Sequence, residues 1–222
     1  MDILTTKQLA FQNTIFYPDL TIPQGKMTFL QGPSGCGKST LFHLFNSTVN
    51  PSQGSIYFKG DNIDTLHPLT LRQHIVLVNQ EVFLFDGTIQ DNFETFHTYR
   101  KSTCPTKAVM DEYLHIAVAP FTIEQNVTNL SGGERQRVFN AIMLSLDAEI
   151  YMWDEPSSAL DSATAVTFFE RLKEHMITHT KTCLVISHDD GLYPKFSDHL
   201  IVLKDKETAK ELAIKNHTHQ IQ

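Results

Sequence analysis

Short apolar runs along the chain predict the strands of a buried parallel sheet. Ile150–Trp153 and Cys183–Ile186 are uninterrupted apolar runs, which is the pattern of strands covered on both faces. Met27–Leu30 is a similar run, and it is followed by a Gly-rich turn and a helix that begins near Lys38. The succession of strand, turn and helix predicts an α/β fold with a mostly parallel sheet. Besides Met27–Leu30, the predicted strands are Ser55–Phe58, Ile75–Val78, Ile150–Trp153, Cys183–Ser187 and Leu200–Leu203.

The segment between Gln80 and Leu130 has a helical pattern instead. Helices are predicted at Thr88–Phe96 and Thr106–Val118, which indicates a helical lobe inserted into the α/β core. Because the chain has no internal repeat, low-complexity tract or linker, we expect a single domain over residues 1–210, with a helical subdomain at about 86–145. Residues 211–222 are predicted to form a solvated C-terminal tail.

Composition and charge narrow the class of protein. The 222 residues include 18 Lys and Arg against 25 Asp and Glu, and this net charge of −7 argues against sequence-independent nucleic-acid binding, which requires clustered positive charge. The 41% hydrophobic and 19% charged residues are ordinary for a globular protein. No apolar run approaches the about 18 residues of a membrane span, so a cytosolic protein is expected. The three cysteines are far apart, which argues against a disulfide framework or a zinc site.

The clearest chemical motif is a G-x-x-x-x-G-K-S loop directly after a strand and at the start of a helix. Its glycines would let backbone N–H groups approach phosphate oxygens, and the helix N-terminus adds partial positive charge. Lys38 can reach the β- and γ-phosphates of ATP, and the hydroxyl of Ser39 can bind Mg²⁺. An ordinary Gly-rich turn is the alternative, and the strand and helix context argues against it. The loop residues are Gly32, Pro33, Ser34, Gly35, Cys36, Gly37, Lys38 and Ser39, of which Cys36 is interpreted as inert.

Two carboxylates follow one of the apolar strands. Asp154 and Glu155 come directly after Ile150–Trp153, at the end of the strand where parallel α/β sheets bind ligands. Asp154 would hold Mg²⁺ through water, and Glu155 would orient or deprotonate the water that attacks the γ-phosphate. Such a pair alone is a common strand end. Together with the phosphate loop it supplies both halves of a metal–phosphate site.

A third motif, Leu130–Arg137, has no role in a general phosphate-loop enzyme. It closely resembles the LSGGQ signature of ABC-type ATPases, with Glu134 in place of the commoner Gln. Physically it is a turn ahead of a helix with Ser131 as N-cap, which makes a second anion-binding helix terminus; a simple helix cap is the alternative. The resemblance implies a P-loop NTPase fold of the ABC type, with a mostly parallel core sheet, an N-terminal antiparallel β-subdomain and an inserted helical subdomain. The residues of this signature turn are Ser131, Gly132, Gly133 and Glu134.

The resemblance also implies roles for residues elsewhere in the chain. Gln80 matches the Q-loop glutamine, which is expected to sense the metal and the water and to couple the nucleotide to the helical lobe. His188 resembles the switch histidine that contacts the γ-phosphate, and Asp161 matches the D-loop aspartate. Thr40 closes the nucleotide-binding loop. Phe11 is the candidate for stacking on adenine, and packing within a β-strand explains it equally well.

In ABC-type ATPases two chains face each other head to tail. The resemblance therefore implies a homodimer in which each ATP lies between Gly32–Thr40 of one chain and the signature turn of the other. Glu155 is expected to act as the base and His188 to hold the γ-phosphate, with ATP and Mg²⁺ as cofactors. Because a single cassette without a membrane span resembles a detachable motor, we expect separate transmembrane permease subunits as partners and a location on the inner face of the cell membrane.

Two other interpretations remain open at this point. A soluble ABC ATPase could act on a non-membrane partner, and a phosphate-loop kinase could pass the γ-phosphate to a metabolite, although a kinase gives no role to the signature turn. The run Gln80–Asn92 is more similar to exporter cassettes than to importers, and Asp64–Pro68 is similar to small bacterial systems proposed to export metals such as iron. Phe83–Phe85 lie where coupling helices of membrane partners would make contact, and core packing is an equal alternative.

Overall fold

The computed structural model describes residues 1–205, so the predicted tail at 211–222 lies outside the described residues. The described strands are β1 (Asp2–Phe11), β2 (Ile15–Phe16), β3 (Thr21–Pro23), β4 (Met27–Gln31), β5 (Gln53–Phe58), β6 (Asp61–Asn62), β7 (Ile75–Val78), β8 (Ile150–Asp154), β9 (Thr182–Ile186) and β10 (His199–Val202). The described helices are α1 (Lys38–Phe45), α2 (Pro68–His74), α3 (Ile89–Arg100), α4 (Lys107–Ile116), α5 (Gly132–Ser145), α6 (Ser162–Thr178) and α7 (Tyr193–Phe196).

The core sheet is parallel, in the order β10-β4-β9-β8-β7. All four neighbouring pairs run in the same direction, so the carboxyl ends of the strands meet at one edge. The predicted strands of this sheet are confirmed, with ends that differ by one residue at β4, β8, β9 and β10, which is the usual variation of element ends. The loops after β4, β7, β8 and β9 therefore lie at a common edge, where ligands of such sheets bind.

Both faces of the core sheet are covered, as its uninterrupted apolar strands predict. Along β8, Tyr151 and Trp153 belong to the hydrophobic cluster shared with the helices α3–α5. Ile150 and Met152 point to the opposite cluster, which contains α1 and the N-terminal strands. Alternating side chains thus enter two separate cores, and no position of the strand is free to be polar until Asp154.

The N-terminal sheet is antiparallel, with β1 at its centre paired to β2, β3 and β5. The pairing of β1 with β5 shifts register after Lys7, and Gln8 has a left-handed φ of 49° there. Gly54 of β5 faces this bulge, and a Cβ at Gly54 would lie 2.4 Å from the carbonyl oxygens of Lys7 and Gln8. This sheet confirms the antiparallel β-subdomain that the resemblance implied.

The helical segment α3–α5 lies in the chain between β7 and β8, which are neighbours in the core sheet. It therefore leaves the sheet and returns to it, as an inserted lobe does; the boundaries 86–145 remain a prediction. Among residues 1–205, no helix combines the length and the apolar character that a membrane crossing requires. Helix α6 was not among the predicted helices, although its buried positions follow helical spacing: Ala165, Phe168, Phe169, Leu172 and Met176.

Candidate functional site

The loop between β4 and α1 owes its shape to three glycines with left-handed φ. The φ angles of Gly32, Gly35 and Gly37 are 151°, 76° and 103°. A Cβ at Gly32 would lie 2.6 Å from the carbonyl oxygen of Leu203, and a Cβ at Gly37 would lie 2.7 Å from the hydroxyl of Tyr17. A Cβ at Gly35 would meet no atom within 4 Å. The first and last glycines thus let the loop approach its own scaffold, while the middle glycine leaves its concave side open.

Lys38 is held inside this loop and is only 8% exposed. Its Nζ donates to the carbonyl oxygens of Gly32 at 2.8 Å and Pro33 at 3.2 Å. The first helical hydrogen bond of α1 runs from Leu41 N to Gly37 O, so the amides of the preceding helical residues have no acceptor within α1. A buried ammonium and an open helix N-terminus therefore face the same space, which favours a polyanion.

Tyr17, which no sequence pattern indicated, holds the last glycine of the loop. Its hydroxyl donates to the carbonyl oxygen of Gly37 at 2.9 Å, within the core. Burial raises the pKa of the Tyr17 hydroxyl above its ordinary value, with Cys36 acting in the same direction, so the hydroxyl remains a neutral donor. No local pattern marks this tyrosine, because its contact is with a residue 20 positions away in the chain.

Asp154 and Glu155 stand at the carboxyl end of β8, as predicted. Glu155 has a left-handed φ of 55° and is only 7% exposed. Its amide donates to Ile186 O at 3.0 Å, and its Oε2 accepts from the amide of His188 at 3.3 Å. Its Oε1 lies 3.3 Å from Nε2 of His188 without hydrogen-bond geometry. The carboxylate is therefore oriented by the strand end of β9 beside it.

The electrostatics of Glu155 favour a proton acceptor. Burial raises the pKa of the Glu155 carboxyl above its ordinary value, against the opposing effect of His188, and the neighbouring Asp154 raises it further. Lys38 acts weakly in the lowering direction. A carboxylate with a raised pKa binds a proton more readily than an ordinary one, which suits general-base chemistry.

These elements surround one cleft of about 410 Å³. The phosphate loop, Gln80 after β7, both carboxylates and His188 after β9 all contribute to it, so the structure brings these sequence-predicted residues together. Phe11, the adenine candidate, is not among the described lining residues; it pairs with Ile15 across the β1–β2 hairpin and packs on the core. The described lining residues are Ile15, Ser34, Gly35, Gly37, Lys38, Ser39, Thr40, Gln80, Asp154, Glu155, Ile186 and His188.

The signature turn lies elsewhere. Ser131 caps α5 in a reciprocal arrangement in which its hydroxyl accepts from the amide of Glu134 and its own amide donates to Oε2 of Glu134 at 2.7 Å. This backbone hydrogen bond lowers the pKa of the Glu134 carboxyl, which stays ionised. Ser131 and Gly132 are exposed, and neither is among the described residues that line the cleft. Asp161 also lies outside this lining, where it caps α6 by accepting from the amides of Ala163 and Thr164.

Comparison with known proteins identifies the family. The family model described as ABC transporter matches residues 17–158. The probable iron export ATP-binding protein FetA of Escherichia coli (strain K12) is 30% identical over 172 residues, which cover 77% of this chain and 76% of FetA. The achromobactin transport ATP-binding protein CbrD of Dickeya dadantii (strain 3937) is 27% identical over 216 residues, which cover 93% of this chain and 80% of CbrD.

Solved structures show the same fold. The dimeric structure of MJ0796, a bacterial ABC transporter cassette, superposes with a TM-score of 0.80 at 26% identity and covers 91% of this chain and 95% of MJ0796. The comparisons agree with the geometry of the site, in which a phosphate loop and strand-end carboxylates share a cleft and a signature turn begins α5. The chain belongs to the ABC transporter family, as an ATP-hydrolysing subunit with a single nucleotide-binding domain.

Proposed function

We propose that this chain powers an exporter by binding and hydrolysing ATP as a head-to-tail homodimer docked on separate transmembrane subunits. One observation carries the dimer: the cleft contains the phosphate loop, Glu155 and His188, whereas the signature turn is exposed outside it. A Cβ at Gly132 would meet no atom within 4 Å, so this helix terminus is open to a second molecule. A partner chain turned by a two-fold axis would bring its own signature turn over the ATP.

The cleft residues support ATP as the substrate. The ammonium of Lys38 and the free amides of α1 suit the triphosphate, and the open concave side at Gly35 gives it room. Ser39, Gln80 and Asp154 offer the oxygen ligands that Mg²⁺ prefers, and the bound ion would offset phosphate charge. Thr40 and the remaining loop residues would complete the phosphate contacts.

The same residues support in-line hydrolysis. Glu155 would accept the proton of the attacking water, because it is buried, oriented by His188 and has a raised pKa. The exposed imidazole of His188 would donate to the γ-phosphate oxygens. In the dimer, Ser131, Gly132 and Gly133 of the partner chain would add backbone donors to the same phosphate, since the first hydrogen bond within α5 runs from Arg135 N to Ser131 O and leaves the preceding amides of the helix without an acceptor in it.

Ser131→Arg is expected to abolish ATP-dependent dimerisation while ATP binding to the monomer stays within about twofold. An arginine at this exposed turn occupies the space of the partner's nucleotide, yet it lies outside the chain's own cleft. Light scattering coupled to size exclusion, with and without a non-hydrolysable ATP analogue, measures the dimer, and titration calorimetry measures the affinity.

Thr178→Arg provides the matched control for this variant. Thr178 ends α6 just before β9 begins, at the amino edge of the core sheet and away from the cleft, and it is exposed. This control should dimerise as the unchanged chain does. Normal dimerisation by Ser131→Arg would contradict the head-to-tail arrangement.

An aromatic surface patch supports a docking site for the membrane subunits. The patch consists of Phe83, Phe85, Phe96 and Tyr99, with Phe83 58% and Tyr99 74% exposed. Phe85 contacts the other three rings at centroid distances of 4.8 to 5.8 Å. Leu84 is only 6% exposed and belongs to the core, so core packing accounts for Leu84, whereas the exposed ring of Phe83 is available to a partner. The patch follows Gln80 in the chain, where family members receive coupling helices, and it would hold the chain at the inner membrane face.

Replacing Phe83 and Tyr99 together by Ser is expected to prevent co-purification with the multi-span protein encoded by a flanking gene. The change removes the exposed apolar surface of the patch, which is its main source of affinity for a partner helix. Tagged chain and partner are co-expressed in membranes, solubilised in detergent and quantified after affinity capture; ATP binding is measured in parallel and should be unchanged.

Leu69→Ser serves as the control, since Leu69 is another exposed apolar residue, 64% exposed, on α2. If the double variant still captures the multi-span protein, the patch is not its docking site. A soluble partner captured in place of a multi-span protein would favour the non-membrane ABC ATPase. The exporter-like run Gln80–Asn92 and the similarity to FetA, a probable iron export ATP-binding protein, support the outward direction.

A further inference from the structure

The helix that begins at the signature turn lies directly against the segment that follows Glu155, residues 155–159. Gln136 of α5 donates through Nε2 to the carbonyl oxygen of Glu155 at 3.1 Å and accepts through Oε1 from the amide of Ala159 at 3.1 Å. One side chain thus bridges both ends of the segment. Gln136 is 3% exposed, so these two hydrogen bonds satisfy its amide without water.

The approach of the two segments is close on both sides of Gln136. A Cβ at Gly133 would lie 2.6 Å from the carbonyl oxygen of Ala159, so the first turn of α5 touches the segment with no room for a side chain. Farther along α5, Asn140 donates through Nδ2 to the carbonyl oxygen of Pro156 at 3.0 Å. The helix and the segment therefore move as one body, or their contacts break.

We propose that Gln136 is a positioning residue that holds the Glu155 backbone in its left-handed conformation and so couples the signature turn to the candidate general base. This inference rests on the proposed function, because it assigns a role within that catalytic site. Glu155 is a non-glycine residue at a φ of 55°, a conformation that persists only where the surroundings enforce it. Its amide is tied to Ile186 and its carbonyl to Gln136, which fixes the backbone on both sides of the carboxylate.

The amide of glutamine suits this place specifically. The bridge needs one donor toward Glu155 and one acceptor toward Ala159, and a neutral amide offers both on one planar group. Gln136 also lies in the second turn of α5, close to the exposed residues that would contact the partner's nucleotide. A shift of α5 on dimer closure would therefore reach the Glu155 carbonyl through a single side chain.

Gln136→Met tests this inference, since methionine has a similar length and buries well but can neither donate nor accept in the same way. We expect kcat for ATP hydrolysis to fall about tenfold or more, while KM and the ATP dissociation constant stay within about twofold. Gln136→Glu is the second variant, because it keeps the acceptor toward Ala159 and loses the donor toward Glu155. Active-site titration with tight-binding nucleotide expresses each kcat per folded molecule, so partial unfolding does not obscure the result.

Ser145→Ala is the matched control, because it removes a buried hydrogen bond of the same helix, to Nε2 of His97 at 3.0 Å, that does not touch residues 155–159. It should lower the melting temperature about as much as Gln136→Met while kcat stays within about twofold. A kcat within twofold of the unchanged chain for both Gln136 variants overturns the proposal, as does an equal loss of kcat in Ser145→Ala.

A second readout separates this proposal from the dimer model. In a Glu155→Gln background, Gln136→Met should still trap the ATP-bound dimer, since the signature turn itself is intact. A trapped dimer together with the kcat loss supports the positioning role. Loss of the trapped dimer in the combined variant alone would mean that Gln136 acts through the fold of α5, and overturns the proposal. Absence of a dimer in Glu155→Gln itself would contradict the proposed function instead.

Discussion

Glu155→Gln is expected to reduce the rate of ATP hydrolysis by about 10³-fold while ATP still binds and the ATP-bound dimer accumulates. The amide cannot accept the proton of the attacking water, whereas its shape and its contact with the amide of His188 are retained. Because Glu155 is buried, bulk water does not readily accept the proton in its place. Phosphate release measures turnover, and light scattering coupled to size exclusion in the presence of ATP measures the dimer.

Glu170→Gln controls for the chemical change itself. Glu170 is exposed on α6 and does not line the cleft in the described part of the chain, so turnover should be unchanged. Undiminished hydrolysis by Glu155→Gln would exclude Glu155 as the general base. Loss of ATP binding in that variant would instead indicate a role for the carboxylate in holding the nucleotide.

Lys38→Ala is expected to weaken ATP binding by about a hundredfold. Lys38 is the one Lys or Arg among the described residues that line the cleft, so its loss removes the main fixed positive charge opposite the phosphates. Charge-assisted hydrogen bonds to a phosphate contribute about 1.5–3 kcal/mol each, and about 1.4 kcal/mol corresponds to tenfold in affinity. Titration calorimetry with ATP in the presence of Mg²⁺ gives the dissociation constant.

The control for Lys38→Ala must lose a lysine without touching the cleft. Lys195 is exposed on α7 and is not among the described lining residues, so Lys195→Ala should bind ATP as the unchanged chain does. Lys38 also donates to Gly32 and Pro33, so the melting temperature of Lys38→Ala should be recorded. An unchanged dissociation constant in a folded Lys38→Ala would place ATP away from this loop.

The spatial arrangement of the site, and two of its supporting residues, could not be predicted from the sequence. Gln80, Glu155 and His188 are far apart in the chain; the position of Glu155 after an apolar strand suggested its role, and resemblance to a family assigned the roles of Gln80 and His188. Their proximity depends on the order of strands β7, β8 and β9, which local patterns do not encode. Tyr17 and Gln136 carried no local signal at all, because each acts through a hydrogen bond to a distant backbone group.

The sequence by itself determined the elements whose cause is local. Uninterrupted apolar runs produced the buried strands, the glycines and Lys38 of the loop specified its chemistry, and the capping pattern of Ser131 and Glu134 started α5. These features depend on neighbouring residues and therefore appear as short motifs.

Only the tertiary structure decided how those elements meet. It placed Ile15 rather than Phe11 beside the phosphate loop, separated exposed Phe83 from buried Leu84, and left the signature turn outside the cleft. It also set α5 against the segment after Glu155. The physical reason is common to all four: burial, close approach and hydrogen bonding between segments depend on which surfaces fold together, and a linear pattern does not contain that information.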